Sequence, residues 1–199
     1  LWVFSDECYE QLTYGINFNS TYFLCGEYDK ILTFQSCSKT YAMTGWRIGY
    51  TCGDKNIINA MGKLQGQSTS CPNSIAQVAA CEALTGDQSS VQMMKQAFQS
   101  RRDLIVKRLN AIDDVECSIP LGAFYVFPNI KKVINRNLDG NIIKSALDLC
   151  MMLLEKHSVV SVAGDSFGSV NNIRFSYATS ETIINEAMDR FEALISKIE

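Results

Sequence analysis

An apolar stretch that breaks off into small polar residues around a single lysine constrains this chain more than any other feature. Ile31-Leu32-Thr33-Phe34-Gln35 runs straight into Ser36-Cys37-Ser38-Lys39-Thr40-Tyr41-Ala42-Met43-Thr44-Gly45-Trp46-Arg47-Ile48-Gly49-Tyr50. The first five residues read as a buried strand. An ammonium carried to the end of such a strand is costly unless it is paired or chemically converted. Desolvation favours the neutral amine, a nucleophile able to condense with an aldehyde.

Around that amine, Ser36, Ser38 and Arg47 supply two hydroxyls and a planar guanidinium, a donor set suited to gripping a phosphate. An aldehyde that carries a phosphate is pyridoxal phosphate. A bare Ser-x-Ser-Lys match also fits a solvated lysine at a strand end beside an arginine in an ion pair; the full run favours the cofactor. Asp6 follows the apolar residues 1–5 and precedes Glu7 and Tyr9, which puts it at the carboxyl end of the sheet, where open α/β folds bind ligands. A carboxylate there keeps a pyridine nitrogen protonated, so that the ring absorbs electrons released at a substrate Cα; the other reading is a helix cap by Ser5 or Asp6.

Composition removes several classes of function. With 47% hydrophobic and 20% charged residues the chain is an ordinary globular one, and a formal net charge of -3 gives no basic field for a polyanion, which argues against nucleic acid. No apolar run approaches the roughly 18 residues of a membrane span, and Leu1-Trp2-Val3-Phe4 lacks the basic flank of a signal peptide. These features point to a cytoplasmic protein without a membrane partner. The eight cysteines are widely spread with no Cys-x-x-Cys pair, and they read mostly as small buried hydrophobes. The single histidine, His157, has no carboxylate or cysteine motif around it, which argues against a histidine triad or a metal centre.

Along the chain, residues 1–5 and 30–35 read as buried strands, 40–53 as a loop and an aromatic-rich strand, and 55–64 and 74–84 as helices. Val91, Phe98, Ile105, Leu109 and Ile112 recur at helical spacing in one long helix that starts near Asp87 and bridges two domains. A hairpin-like pair follows at 115–119 and 123–128, then a helix over 142–157 with Leu147, Met151 and Leu154 on one face, and a short strand at 159–163. Residues 172–177 alternate Ile173, Phe175 and Tyr177 against Asn172, Arg174 and Ser176, so Arg174 points away from the core. A closing helix capped by Ser180 buries Ile184, Met188, Phe191 and Ile195.

The run Ser36 to Tyr50 resembles the cofactor-lysine signature of the class I/II pyridoxal-phosphate-dependent aminotransferases, with greatest similarity to the bacterial aspartate aminotransferase branch. Ser5-Asp6-Glu7-Cys8-Tyr9-Glu10, Gly122-Ala123-Phe124-Tyr125-Val126-Phe127-Pro128 and Ile173-Arg174-Phe175-Ser176-Tyr177-Ala178-Thr179-Ser180 resemble further blocks of that family in the family's order. The resemblance implies an α/β fold. Residues 1–109 would be the last part of a large cofactor-binding domain with a mixed, mostly parallel sheet, and 110–199 a small α+β C-terminal domain. It implies that the chain, which opens on a strand without an initiator methionine, is the C-terminal half of a longer protein.

The same resemblance makes Lys39 the catalytic and cofactor-linked lysine. It places Asp6, Tyr9, Ser36, Ser38 and Arg47 around pyridoxal 5'-phosphate, with the Tyr9 phenol at the ring hydroxyl, and Arg174 on the substrate α-carboxylate. An arginine fork binds a carboxylate at two points and fixes its orientation. Gly122 and Phe124 would form part of the wall beside that site, while Gly164, Phe167 and Gly168 read as a turn with little chemistry of its own. The activity implied is ping-pong transfer of an amino group between an amino acid, aspartate or a similar donor, and a 2-oxo acid, by a homodimer with Gln67-Ser68-Thr69-Ser70 near the subunit boundary. A β-lyase or synthase on the same constellation, or a non-catalytic truncated relative, are the alternatives.

Overall fold

The strand expected at 30–35 forms as β2 (Ile31–Ser36), and its first three residues are buried. It pairs in parallel with β1 (Val3–Asp6) and antiparallel with β3 (Gly49–Gly53), giving a mixed sheet in the order β1-β2-β3. Because β1 and β2 run the same way, both bring their last residues, Asp6 and Ser36, to the same end of the sheet. The computed structural model describes all 199 residues, which divide into two compact units, Leu1–Lys95 and Gln96–Glu199.

In the first unit, β1 is less buried than its composition suggests: Phe4 is 68% exposed, on a sheet face that no other element of this chain covers there. β3 reads Gly-Tyr-Thr-Cys-Gly and carries a single aromatic, Tyr50, rather than the several expected. Its terminal glycines are required by packing, since a Cβ on Gly49 would lie 2.5 Å from the Gln35 carbonyl oxygen and one on Gly53 would lie 2.5 Å from that of Ile31. A one-turn helix, α1 (Thr21–Leu24), lies between β1 and β2 and leaves Phe23 and Leu24 exposed. Another, α2 (Cys37–Thr40), follows β2 directly. Asp54 caps α3 (Lys55–Ser68), which outruns the expected end at 64, and Asn73 caps α4 (Ser74–Thr85). Cys37, Met43 and Ala80 form a buried cluster that fixes the chain after β2 against α4.

The division between the units falls inside α5 (Ser89–Leu109). In the second unit, Phe98, Ile105, Leu109 and Ile112 are buried as their spacing requires. The expected hairpin at 115–119 and 123–128 does not form. Residues 115–119 contribute only a single bridge, Glu116 to Asn129, because the Asn110 side chain takes both backbone groups of Cys117, donating to its carbonyl at 2.9 Å and accepting from its N–H at 2.8 Å. β4 (Tyr125–Val126) pairs instead with the distant β8 (Ile173–Ser176), and β7 (Val162–Ala163) completes an antiparallel sheet in the order β4-β8-β7.

A small hairpin of β5 (Asn137–Leu138) and β6 (Asn141–Ile142) turns at Asp139 and Gly140, both at positive φ, the conformation an Asp-Gly turn favours. α6 (Ala146–His157) starts later than expected and buries Ala146, Leu149, Cys150 and Leu153, while Leu147, Met151 and Leu154 face outward. α7 (Glu181–Ile195), capped by Ser180, buries Ile184, Met188, Phe191 and Ile195 as read from its spacing. Only Cys37, Cys117 and Cys150 of the eight cysteines are buried, which corrects the expectation for most of them. No helix is long and apolar enough to cross a membrane.

Candidate active site

Five of the seven residues singled out from the sequence line one cavity of about 510 Å3 in the first unit: Asp6, Ser36, Ser38, Lys39 and Arg47, together with Cys8, Phe34, Gln35 and Thr44. The convergence follows from the sheet. Parallel β1 and β2 deliver Asp6 and Ser36 to one end, and the chain turns there into α2. The Ser36 hydroxyl oxygen accepts from the Ser38 backbone N–H at 3.1 Å, capping α2. That bond uses a lone pair and leaves the Ser36 O–H to donate. Lys39 stands in the single turn so formed, not in an irregular loop.

Arg47 closes the far side. It has left-handed backbone, φ 52°, and its Nη1 donates to the Thr44 carbonyl at 3.0 Å without pairing to any carboxylate. Tyr9 does not line this cavity; its carbonyl accepts from the Leu12 N–H at 2.9 Å in the turn after β1.

The Asp6 carboxylate accepts from the Cys8 backbone N–H at 3.2 Å in a turn that starts no helix, so the helix-cap reading does not hold, and Asp6 lines the cavity. Burial pushes the Cys8 thiol up to about 11; its hydrogen bond to Asp6 and the charge of that carboxylate act in the same direction, and the charge of Lys39 opposes them. Cys8, Asp6 and Lys39 are thus within electrostatic reach of one another.

Glu7 is the residue that sequence reasoning passed over. It is 3% exposed, and its Oε1 accepts from the Ser5 hydroxyl at 3.0 Å, the Ser20 hydroxyl at 3.0 Å and the Thr21 N–H at 2.9 Å, while Oε2 accepts from Gln35 Nε2 at 3.0 Å. This carboxylate ties the ends of β1 and β2 to α1 and holds the strand end on which Asp6 stands. It lies one residue beyond β1, its N–H donating to the Phe34 carbonyl at 2.9 Å, and so faces opposite to the exposed Asp6.

In the second unit, Arg174 lies on β8 with Ile173 and Phe175 buried on either side of it. Its guanidinium carbon lies over two aromatic rings, 4.1 Å from the centroid of Phe167 and 4.4 Å from that of Tyr125. Arg102, Arg108, Arg136 and Arg190 each pair with a carboxylate, and Arg174 pairs with none. Phe167 therefore has a part to play that its turn-like sequence did not reveal.

The segment that carries Phe167 is fixed closely. The Gly164 N–H donates to the Asn172 carbonyl at 2.8 Å, Asn172 Nδ2 donates to the Phe127 carbonyl at 2.8 Å, and a Cβ on Gly164 would sit 2.2 Å from the Ser169 carbonyl oxygen.

This α/β fold is that of the aspartate aminotransferases. The crystal structure of the enzyme from Rhizobium meliloti matches it with a TM-score of 0.96 at 42% identity, over 100% of this chain and 50% of that one. An aromatic aminotransferase from Pyrococcus horikoshii OT3 matches with a TM-score of 0.88 at 34% identity, over 98% of this chain and 51% of its own. Residues 1–191 match the family model described as aminotransferase class I and II, and the chain belongs to that family. Among relatives in sequence, an aspartate/prephenate aminotransferase from Cereibacter sphaeroides is 44% identical over 97% of this chain and 49% of its own length. An aspartate aminotransferase from Rhizobium meliloti (strain 1021) is 42% identical over 100% and 49%. The chain spans about half the length of the curated relatives it matches.

Proposed function

We propose that this chain carries the cofactor lysine and the substrate-carboxylate arginine of a pyridoxal-phosphate-dependent aminotransferase acting on an amino acid, aspartate or a similar donor, and a 2-oxo acid. The observation that carries the reading is the single cavity that gathers Lys39, Asp6, Ser36, Ser38 and Arg47. Its donor set fits the cofactor: an amine for an aldehyde, hydroxyls and an unpaired guanidinium for a phosphate, and a carboxylate for a pyridinium nitrogen. At about 510 Å3 it also falls in the size range of small-molecule sites. When bound, the cofactor supplies a ring that takes up the electron pair released at the substrate Cα.

The protein's own residues do the rest. The Nζ of Lys39 would hold the cofactor through its aldehyde carbon and, when free, would take the proton from the substrate Cα. Asp6 keeps the ring nitrogen protonated, and the bond from the Cys8 N–H holds one of its oxygens in place. Ser36 and Ser38 would donate hydrogen bonds to the phosphate, and Arg47 would offset part of its charge. Arg174 receives the α-carboxylate at two points and orients the bond to be broken.

Two half-reactions at one lysine give ping-pong kinetics. The same reading takes the protein as a homodimer.

Borohydride reduction of the full-length protein with pyridoxal phosphate, followed by peptide mapping, tests the assignment. The pyridoxyl label is expected on Lys39, and a label on another lysine would overturn it.

A further inference from the structure

We propose that Tyr125 and Phe167 are positioning residues for the substrate carboxylate, which they orient by holding the plane of the Arg174 guanidinium. The inference rests on the reading of Arg174 as the carboxylate receptor and deepens it. The two rings reach Arg174 from opposite flanks of β8, since Tyr125 belongs to β4 and Phe167 to the 3-10 turn that follows β7, in a sheet ordered β4-β8-β7. The guanidinium carbon lies over both rings, at 4.4 and 4.1 Å from their centroids, well within the roughly 6 Å at which a cation is attracted by a ring face. A guanidinium carries its N–H donors in its own plane, so two rings that fix where its central carbon lies restrict the directions from which a carboxylate can be received.

Neither ring is isolated. Tyr125 packs on Phe124 at 4.8 Å, Phe124 stacks on Phe98 at 5.4 Å, and Phe167 meets the edge of Phe127 at 6.0 Å. Four other arginines are held by carboxylates. A carboxylate partner would hold Arg174 equally well, but it would occupy the donors that the substrate needs. Aromatic faces fix the same group and leave those donors available. The hold is thus matched to a residue whose task is to bind an external anion.

The test uses the full-length holoenzyme. Phe167→Leu and Tyr125→Leu are expected to raise both the KM for the amino donor and the Kd of succinate, a carboxylate without the reactive amine, by about three- to thirtyfold. The cofactor content is expected to stay at the parental value, and Phe167→Trp and Tyr125→Phe to restore binding. Fluorinated phenylalanines introduced at position 167 keep the shape of the ring while draining its face of electrons, so succinate affinity should fall stepwise with fluorination. This series also decides the matter where a leucine variant fails to fold. Unchanged succinate binding in the leucine and fluorinated variants, alongside its loss in Arg174→Ala, would overturn the positioning role alone. Unchanged binding in Arg174→Ala would overturn the carboxylate assignment itself.

Discussion

Removing the Glu7 carboxylate should weaken the first unit by about 2–4 kcal/mol while leaving in place the five residues proposed to hold the cofactor. In Glu7→Ala the Ser5 hydroxyl keeps Thr21 Oγ1 as a partner at 2.8 Å, and half-buried Ser20, which still accepts from the Tyr22 N–H at 3.3 Å, turns its freed O–H to water. The Thr21 N–H and Gln35 Nε2 lose their acceptors. A stranded buried donor costs about 1–3 kcal/mol, and water reaching this partly buried site lowers each to about 1–2 kcal/mol. Glu7→Gln keeps one oxygen for the three donors at Oε1, and the Gln35 amide can turn to meet the new N–H, so it should cost only about 1 kcal/mol.

Both tryptophans, Trp2 and Trp46, lie in this unit, so their fluorescence during urea unfolding reports on it selectively. The alanine variant should lower the midpoint two to four times as much as the glutamine variant, with unchanged slope. Equal losses in the two would mean that charge rather than acceptor geometry holds the strand end. An alanine variant within about 0.5 kcal/mol of the parent would remove Glu7 from the account.

The two arginines should separate by phenotype: Arg174→Ala lowers kcat/KM for the amino donor by about 2–5 kcal/mol with cofactor retained, whereas Arg47→Ala loses cofactor on dialysis. Equal cofactor loss in both, with parental kinetics in the remaining holoenzyme, would refute that division. For Cys8, whose thiol is raised from 9.0 to about 11, the folded state holds its proton more firmly than the unfolded state. Its contribution to stability is therefore complete below about pH 9 and lost as pH climbs towards 11. Alkylation followed by mass mapping at pH 8 should label exposed Cys52, Cys71 and Cys81 well before Cys8; fast labelling of Cys8 there would contradict the raised value.

Where local chemistry decided the structure, the residues announced it. The switch from the apolar Ile31–Gln35 to the small polar Ser36, Ser38 and Lys39 marked a strand end, and β2 stops at Ser36. The alternation at 172–177 set Arg174 apart from buried Ile173 and Phe175. α7 was legible because its apolar residues form one stripe.

α6 was not, because Leu-Asp-Leu-Cys-Met-Met-Leu-Leu offers apolar residues on more than one face, and only packing chose Leu149 and Leu153 over Leu147 and Met151. The false hairpin arose because neighbours in sequence are the default strand partners, whereas Tyr125 pairs with Ser176, far along the chain. The Asp139-Gly140 turn did carry a readable signal that went unused. Phe167 and Glu7 carried none of comparable strength, since a ring under a guanidinium and a carboxylate among donors are facts of tertiary placement.

The left-handed backbone at Arg47, φ 52°, bears on how the protein could drift. Such a conformation costs a non-glycine residue about 1–2 kcal/mol, while glycine there would forfeit about 0.5–1 kcal/mol to the freedom of its unfolded chain. The two nearly offset, so Arg47→Gly would leave the fold as stable as before or slightly more so. A laboratory selection for heat resistance without added cofactor would pass this replacement and return a sturdy protein that no longer grips the phosphate. A screen that demands turnover, or heat resistance gained on adding the cofactor, keeps the arginine in place.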